Sequence, residues 1–248
     1  MKKLFLVGAV ALFGAVNAQE YKPGTGDVTT EFGLKGGLGD TGVELPGGDA
    51  YFKARYFKAD NIAYRATLSL KTTSNTKDVD SYSDEHTNSE KHTTGKDKKS
   101  SMGFTLGFGL EKHFKGTERL SPYVGGEFLL GYSSKKESSE RTTVNSGDNK
   151  TPYKRVSNGE TKGANGFSFG VRGVFGADYY FTKRVFLGVE AGLSLMYGSE
   201  GKTTTTSSYS LTTGGTTVSD SRTSTAPGSR SFGFSPSVVT GIRLGYAF

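Results

Sequence analysis

The chain of 248 residues has no cysteine, no tryptophan, three histidines and six prolines. Without cysteine there is no disulfide staple, no thiol nucleophile and no thiolate metal cluster. Apolar residues make up 33% without glycine, against roughly 45–50% in a soluble globular domain with glycine counted; the 36 glycines account for part of that gap. Long hydrophobic runs are also missing. The longest, Leu4–Val16, falls short of the ~20 residues of a membrane-spanning helix, so any membrane crossing by the mature chain would have to use strands. Basic residues outnumber acidic ones, 31 to 24, but they are scattered among Asp and Glu without an aromatic-rich basic stripe. That pattern argues against nucleic acid as a partner.

The first residues look like a leader. Lys2-Lys3, the apolar run Leu4–Val16 and the small-residue site Val16-Asn17-Ala18 predict a signal peptide over 1–18, cut before Gln19. No cysteine follows to carry a lipid anchor. Residues 19–27 then form a short N-terminal segment, and 28–248 form one domain.

What the chain does have is 36 glycines and a period of two. Over Ser231–Phe248, Phe232, Phe234, Val238, Thr240, Ile242, Leu244, Tyr246 and Phe248 share one face, and Gly233, Ser235, Ser237, Gly241, Arg243, Gly245 and Ala247 share the other. The same alternation predicts seven earlier strands: Val28–Leu38, Ala50–Lys58, Asn61–Thr73, Ser101–Phe114, Leu120–Ser133, Asn165–Phe181 and Arg184–Gly198. The links near Ala59, Gly116 and Thr182 are short and force antiparallel hairpins. Between them lie long polar segments, Ser74–Lys99, Ser134–Gly163 and Ser199–Gly228. Within the last, Gly214-Gly215 between Thr/Ser runs predicts a ribbon that continues the two flanking strands, and Asn145–Asn149 predicts the tip of the loop before it.

The ending Ile242-Arg243-Leu244-Gly245-Tyr246-Ala247-Phe248 resembles the C-terminal strand signal of Gram-negative outer-membrane proteins. Ile242, Leu244, Tyr246 and Phe248 would carry that insertion signal. The whole chain is similar to the small eight-stranded OmpA/OmpX-like barrels. The resemblance implies an all-β, eight-stranded antiparallel up-and-down transmembrane β-barrel with short periplasmic turns and long extracellular loops, located in the cell outer membrane. Its implied partners are outer-membrane lipids and lipopolysaccharide, the outer-membrane insertion machinery, and a host or surface ligand met by the loops. A monomer is expected. Tyr51, Phe57, Phe114, Tyr123, Tyr132, Tyr179, Phe181, Phe186, Tyr197, Tyr246 and Phe248 recur near strand ends, as interfacial girdles would.

The polar face collects charge. Acids Glu31, Glu111, Glu127, Asp178 and Glu190 and bases Lys35, Lys53, Arg55, Arg65, Arg172 and Arg243 all point into the expected lumen. Six of them, Glu31, Arg55, Arg65, Glu111, Asp178 and Arg243, fall at similar height. Adjacent strands should set Glu31 beside Arg243, Glu111 beside Arg65, and Arg172 between Glu127 and Glu190. Such a network could plug the bore. It could also gate a narrow path for ions or small hydrophobic molecules, because inward glycines such as Gly33, Gly37, Gly103, Gly107, Gly109, Gly125 and Gly170 leave room. His86 and His92, with Asp78, Asp80, Asp84 and Glu85, match no tight metal motif, and no nucleophile–base pattern stands out. No catalytic residue, metal or cofactor is therefore expected, and structure and surface interaction through the loops is the expected function. N-terminal sequencing of the exported protein should begin at Gln19; an uncleaved Met1 would overturn the leader.

Overall fold

The computed structural model describes residues 21–34, 50–85, 89–145, 152–163 and 165–248. The expected signal peptide, Lys35, Gly37, the tip at 146–149 and His86 lie outside them. All regular structure in these residues is β, in eleven strands: β1 Val28–Leu34, β2 Ala50–Ala59, β3 Ile62–Glu85, β4 Ser89–His113, β5 Leu120–Asn145, β6 Tyr153–Lys162, β7 Gly166–Tyr180, β8 Val185–Glu200, β9 Thr203–Thr213, β10 Thr216–Ala226 and β11 Ser229–Ala247. Every pairing is antiparallel.

Eight of them close on themselves in the order β1-β2-β3-β4-β5-β7-β8-β11. β1 completes the ring: Glu31 stands opposite Lys53 of β2 on one side and Gly245 of β11 on the other. The period-two face sets the orientation. Phe32, Phe108, Leu130, Val171, Phe175, Val189 and Leu244 are exposed around the outside, while Thr29, Glu31, Arg55, Arg65, Glu111 and Asp178 are buried inside. The hydrophobic faces are thus turned outward and the ions inward, the inverse of a water-soluble globule.

One end is tied by short links at 60–61, 114–119 and 181–184. The segment before β1 folds over this end: Thr25 donates to Asp60 from both its amide (3.0 Å) and its hydroxyl (2.6 Å), and Arg119 stacks on Tyr21 at 4.4 Å and donates to its hydroxyl. Two Thr25 donors hold the Asp60 carboxyl below its ordinary range. The last residue is tied in as well, since the Phe248 amide donates to the Val28 carbonyl.

At the other end the polar segments prove to be strand, not loop. β3 and β4 stay in register from Ile62↔Lys112 out to Glu85↔Ser89. β5 runs on beyond its ring partner β7, and its outer half pairs with β6 from Lys136↔Lys162 to Asn145↔Tyr153. The Gly214-Gly215 turn, with φ of 56° and 80°, joins β9 to β10; positive φ at both central residues suits the twist of a two-residue hairpin. This ribbon does not continue the flanking ring strands as expected. It leaves them at Glu200 and Ser229, which pair with each other, and β9 docks on β6 instead. An open sheet β3-β4-β5-β6-β9-β10 therefore stands on one side of the ring. Cross-strand pairs lace it, among them Arg141–Asp97 at 2.7 Å, Lys136–Glu160 at 2.6 Å and the hydroxyls of Thr161 and Thr205 at 3.1 Å.

The expected aromatic girdle needs correction at four positions. Tyr51, Phe57, Tyr123 and Phe186 are buried in the bore, not exposed on the rim. Phe57, His113 and Tyr123 pack in sequence as tilted rings at 5.0 and 5.2 Å, and Tyr180 meets Phe186 at 4.9 Å. They form an aromatic floor beneath the ions. Phe114, Tyr179, Phe181 and Phe248 do face outward. Two inward glycines are filled as well: a Cβ on Gly245 would overlap the Phe186 ring, and one on Gly107 would collide with Thr67 and Glu127, whereas Gly103 lines a cavity at the outer end of the bore. Gly245→Val should cost on the order of 1–3 kcal/mol by overpacking, read as a lower urea midpoint in detergent micelles. An unchanged midpoint would mean the floor is loosely packed.

Candidate functional site

The candidate site is the bore. Strand pleat places alternate residues inward, and closure of the ring brings together side chains from strands far apart in sequence. Among the described residues five carboxylates, Glu31, Glu111, Glu127, Asp178 and Glu190, meet five cations, Lys53, Arg55, Arg65, Arg172 and Arg243, all buried. The charges balance within the cavity.

Arg55 lies at the centre. Its Nε is 2.9 Å from Glu111 Oε2, its Nη1 2.6 Å from Asp178 Oδ2, and its Nη2 pairs with Glu31. Arg243 reaches Glu31 at 2.8 Å and donates to the Tyr123 hydroxyl at 2.9 Å. Arg65 spans three acids: Glu111 at 2.8 Å, Glu127 at 3.0 Å and Glu190 at 3.2 Å. Lys53 sits 2.9 Å from Glu31 and 3.3 Å from Glu190. The planar fork of each arginine lets it hold more than one carboxylate at once.

Two of the expected neighbours meet as placed, Glu31 with Arg243 and Glu111 with Arg65. The third does not. Arg172 binds Glu127 through Nε and Nη2 but stands opposite Ser194 on β8, whereas Glu190 stands opposite Gly176. Glu190 turns instead to Lys53, Arg65, Arg243 and Tyr123. Lys35 and the side chain of Ile242 lie outside the described residues. Leu244 and Phe248 point outward, and Tyr246 accepts from Arg184 and packs on Phe248.

Two residues matter more than the sequence suggested. Tyr123 donates to Glu190 at 2.7 Å while Lys53 and Arg55 sit 5.1 and 5.0 Å from its ring centre, so one side chain serves as acceptor, donor and cation–π face. Its inward parity was the available signal. His113 bridges Ser121 Oγ (2.9 Å from Nδ1) and Glu111 Oε2 (3.1 Å from Nε2). The carboxylate of that file is already engaged by two arginines, and the ring is walled by Phe57 and Tyr123. In the outer sheet, His92 bonds Asp80 at 2.8 Å and stacks on Tyr82 at 4.0 Å.

A closed antiparallel ring with an apolar exterior and a polar, ion-filled bore defines the β-barrel class of outer-membrane proteins. The chain belongs to the Putative OmpA-OmpF-like porin family, whose model matches residues 50–213, a family of outer-membrane β-barrels. No curated protein matches the chain.

Removing one partner from a buried network strands the others, at a cost of roughly 3–5 kcal/mol. Arg55→Met leaves Glu31, Glu111 and Asp178 short of a cation, and should lower unfolding stability by about that much in micelles. Lys99→Met, whose partner Glu137 is 3.6 Å away on the exposed sheet, should change it by less than about 1 kcal/mol. Equal losses would deny the bore its special role.

Proposed function

We propose that this protein is an eight-stranded transmembrane barrel of the outer membrane, sealed to solutes by its ion network, that acts through the sheet it holds above the membrane. The observation that carries the reading is the segregation of chemistry across one wall: apolar side chains exposed on the outside, balanced charge buried within. Charge on a lipid-facing position would cost about 2–4 kcal/mol at mid-bilayer, and hydrocarbon leaves no room for an unpaired strand edge.

The dimensions support the outward sheet. β4 has 25 residues, about 80 Å at ~3.3 Å per residue, against an apolar band of about 25 Å. The short links, Phe248 and the folded N-terminal segment would then face the periplasm, and the outer halves of β3, β4 and β5 with β6, β9 and β10 would face the surroundings. That surface, rich in Ser, Thr and charged pairs, suits adhesion to a host or environmental surface. The network and the His113 file serve as structure, without catalysis. Against a gated channel, the space beside Gly107 and Gly109 is taken by Thr67 and Glu127.

Planar-bilayer recordings test the seal: wild type and Arg65→Ala should both be silent, and a wild-type step that the variant enlarges would establish the channel instead. Whole-cell binding to matrix or host surfaces, with and without residues 203–226, tests the adhesive role. Binding that survives the deletion would overturn it for this ribbon.

A further inference from the structure

The ring closes through β1, but among the described residues the outer sheet has two free edges. One is the outer part of β3, beyond its last β2 pairing at Leu70; the other is β10, which pairs with β9 alone. An edge strand offers alternate N–H and C=O groups to any strand that can align with it, and charge is the usual protection. β3 has that protection. Pairing two copies about Val79 would set Asp78 against Asp80 of the second copy, and like charges directly opposite are unfavourable.

β10 is different. It is exposed along all eleven residues and carries neither lysine nor proline. Its charges are Asp220 and Arg222, placed symmetrically about Ser221, the midpoint of Thr216–Ala226. On β9 they face Tyr209 and Ser207, so neither finds an opposite charge across the ribbon. Both project from the same face of the strand, since they are two residues apart.

We propose that β10 pairs antiparallel with β10 of a second copy, centred on Ser221, and that this joins two facing membranes. In that register Asp220 meets the partner's Arg222, and Arg222 meets the partner's Asp220. Ser219 meets the partner's Thr223, and Thr217 meets the partner's Thr225. Val218 meets the partner's Ser224 and Thr216 the partner's Ala226, so the register sets no like charges opposite each other and pairs both central charges with their opposites, as an isologous two-fold contact allows.

The topology decides the geometry of the assembly. β10 belongs to the same antiparallel sheet as β5, which runs unbroken from the ring outward. The two-fold axis of an antiparallel pair is perpendicular to its strands. With β10 running along the membrane normal, as the outward sheet proposed above has it, two barrels in one membrane, related by an axis along that normal, would present β10 strands running the same way. Antiparallel pairing therefore places the second copy on an opposing membrane, while each barrel stays monomeric in its own. A single eleven-residue edge is a small, weak contact, but many copies on two surfaces act together. This rests on the outward placement of the sheet proposed above and adds the partner: the protein itself.

The test uses full-length protein in liposomes and follows clustering by turbidity. Wild-type vesicles should cluster. D220R gives a strand with two arginines flanking Ser221, and R222D one with two aspartates; each population alone should cluster about tenfold more slowly, because weakened contacts multiply across a surface. Mixing D220R vesicles with R222D vesicles should restore clustering, and only between unlike vesicles. That recovery also shows both variants are folded. Single variants that cluster like wild type, or a mixture that stays dispersed, would overturn the proposal. Dispersed wild-type vesicles that still bind host matrix through residues 203–226 would overturn self-pairing while leaving surface adhesion in place.

Discussion

Ten ionisable side chains have to point the same way in this molecule, and nearly everything else follows from that requirement. Because a strand alternates sides at every residue, a slip of one position would turn each charge from the bore to the outside. The registers of β2 with β3 and of β4 with β5 hold over their whole ring segments, apart from one shift near Phe57. Arg55 stands opposite Arg65 in this register, and each is satisfied by carboxylates of other strands: Glu31 of β1, Glu111 of β4 and, across the bore, Asp178 of β7 for Arg55, and Glu111 of β4 and Glu127 of β5 for Arg65. The network thus ties β1, β2, β3, β4, β5, β7, β8 and β11 to one alignment. Buried ion pairs are weak evidence for net stability, and here specificity of register is the better account of their presence.

The glycines belong to the same economy of space. Arginines, glutamates and a floor of Phe57, His113, Tyr123, Tyr180 and Phe186 fill a bore that eight strands make narrow. Large side chains on one strand need small ones opposite: Gly188 leaves room for Asp178 and Arg243, and Gly245 leaves room for Phe186. The alternation of glycine with hydrophobic residues, visible along the whole ring, is the complement of the ions and rings it accommodates.

This explains what the sequence could and could not tell. Strand order in the ring, its closure and the inward set of charges were legible, because a two-sided wall writes period two into every strand. Partners adjacent along the ring, such as Glu31 and Arg243, could be named. Contacts across the bore, such as Arg55 with Asp178 or Lys53 with Glu190, could not, because nothing in a strand's own pattern says how far its side chains reach. Tyr123 and Phe57 carried two conflicting signals, nearness to a strand end and inward parity, and parity won. The outer halves of β3, β4 and β5 were hidden for the opposite reason. Both of their faces meet water, so no alternation marks them, and their strand character comes from backbone pairing and Thr, Ser and charged cross-strand pairs.

The ring and the outer sheet solve the edge problem in contrasting ways. The ring closes because β1 pairs on both sides, with β2 and with β11. Above it only some strands continue, and among the described residues the sheet is left with two margins whose donors and acceptors face water. The β3 margin is guarded by Lys77, Asp78 and Asp80. The β10 margin holds just two charges, of opposite sign and evenly placed about its centre. A margin meant only to stay solvated would gain most from repeated like charges or a proline. A balanced, self-complementary margin is better suited to meeting its own copy.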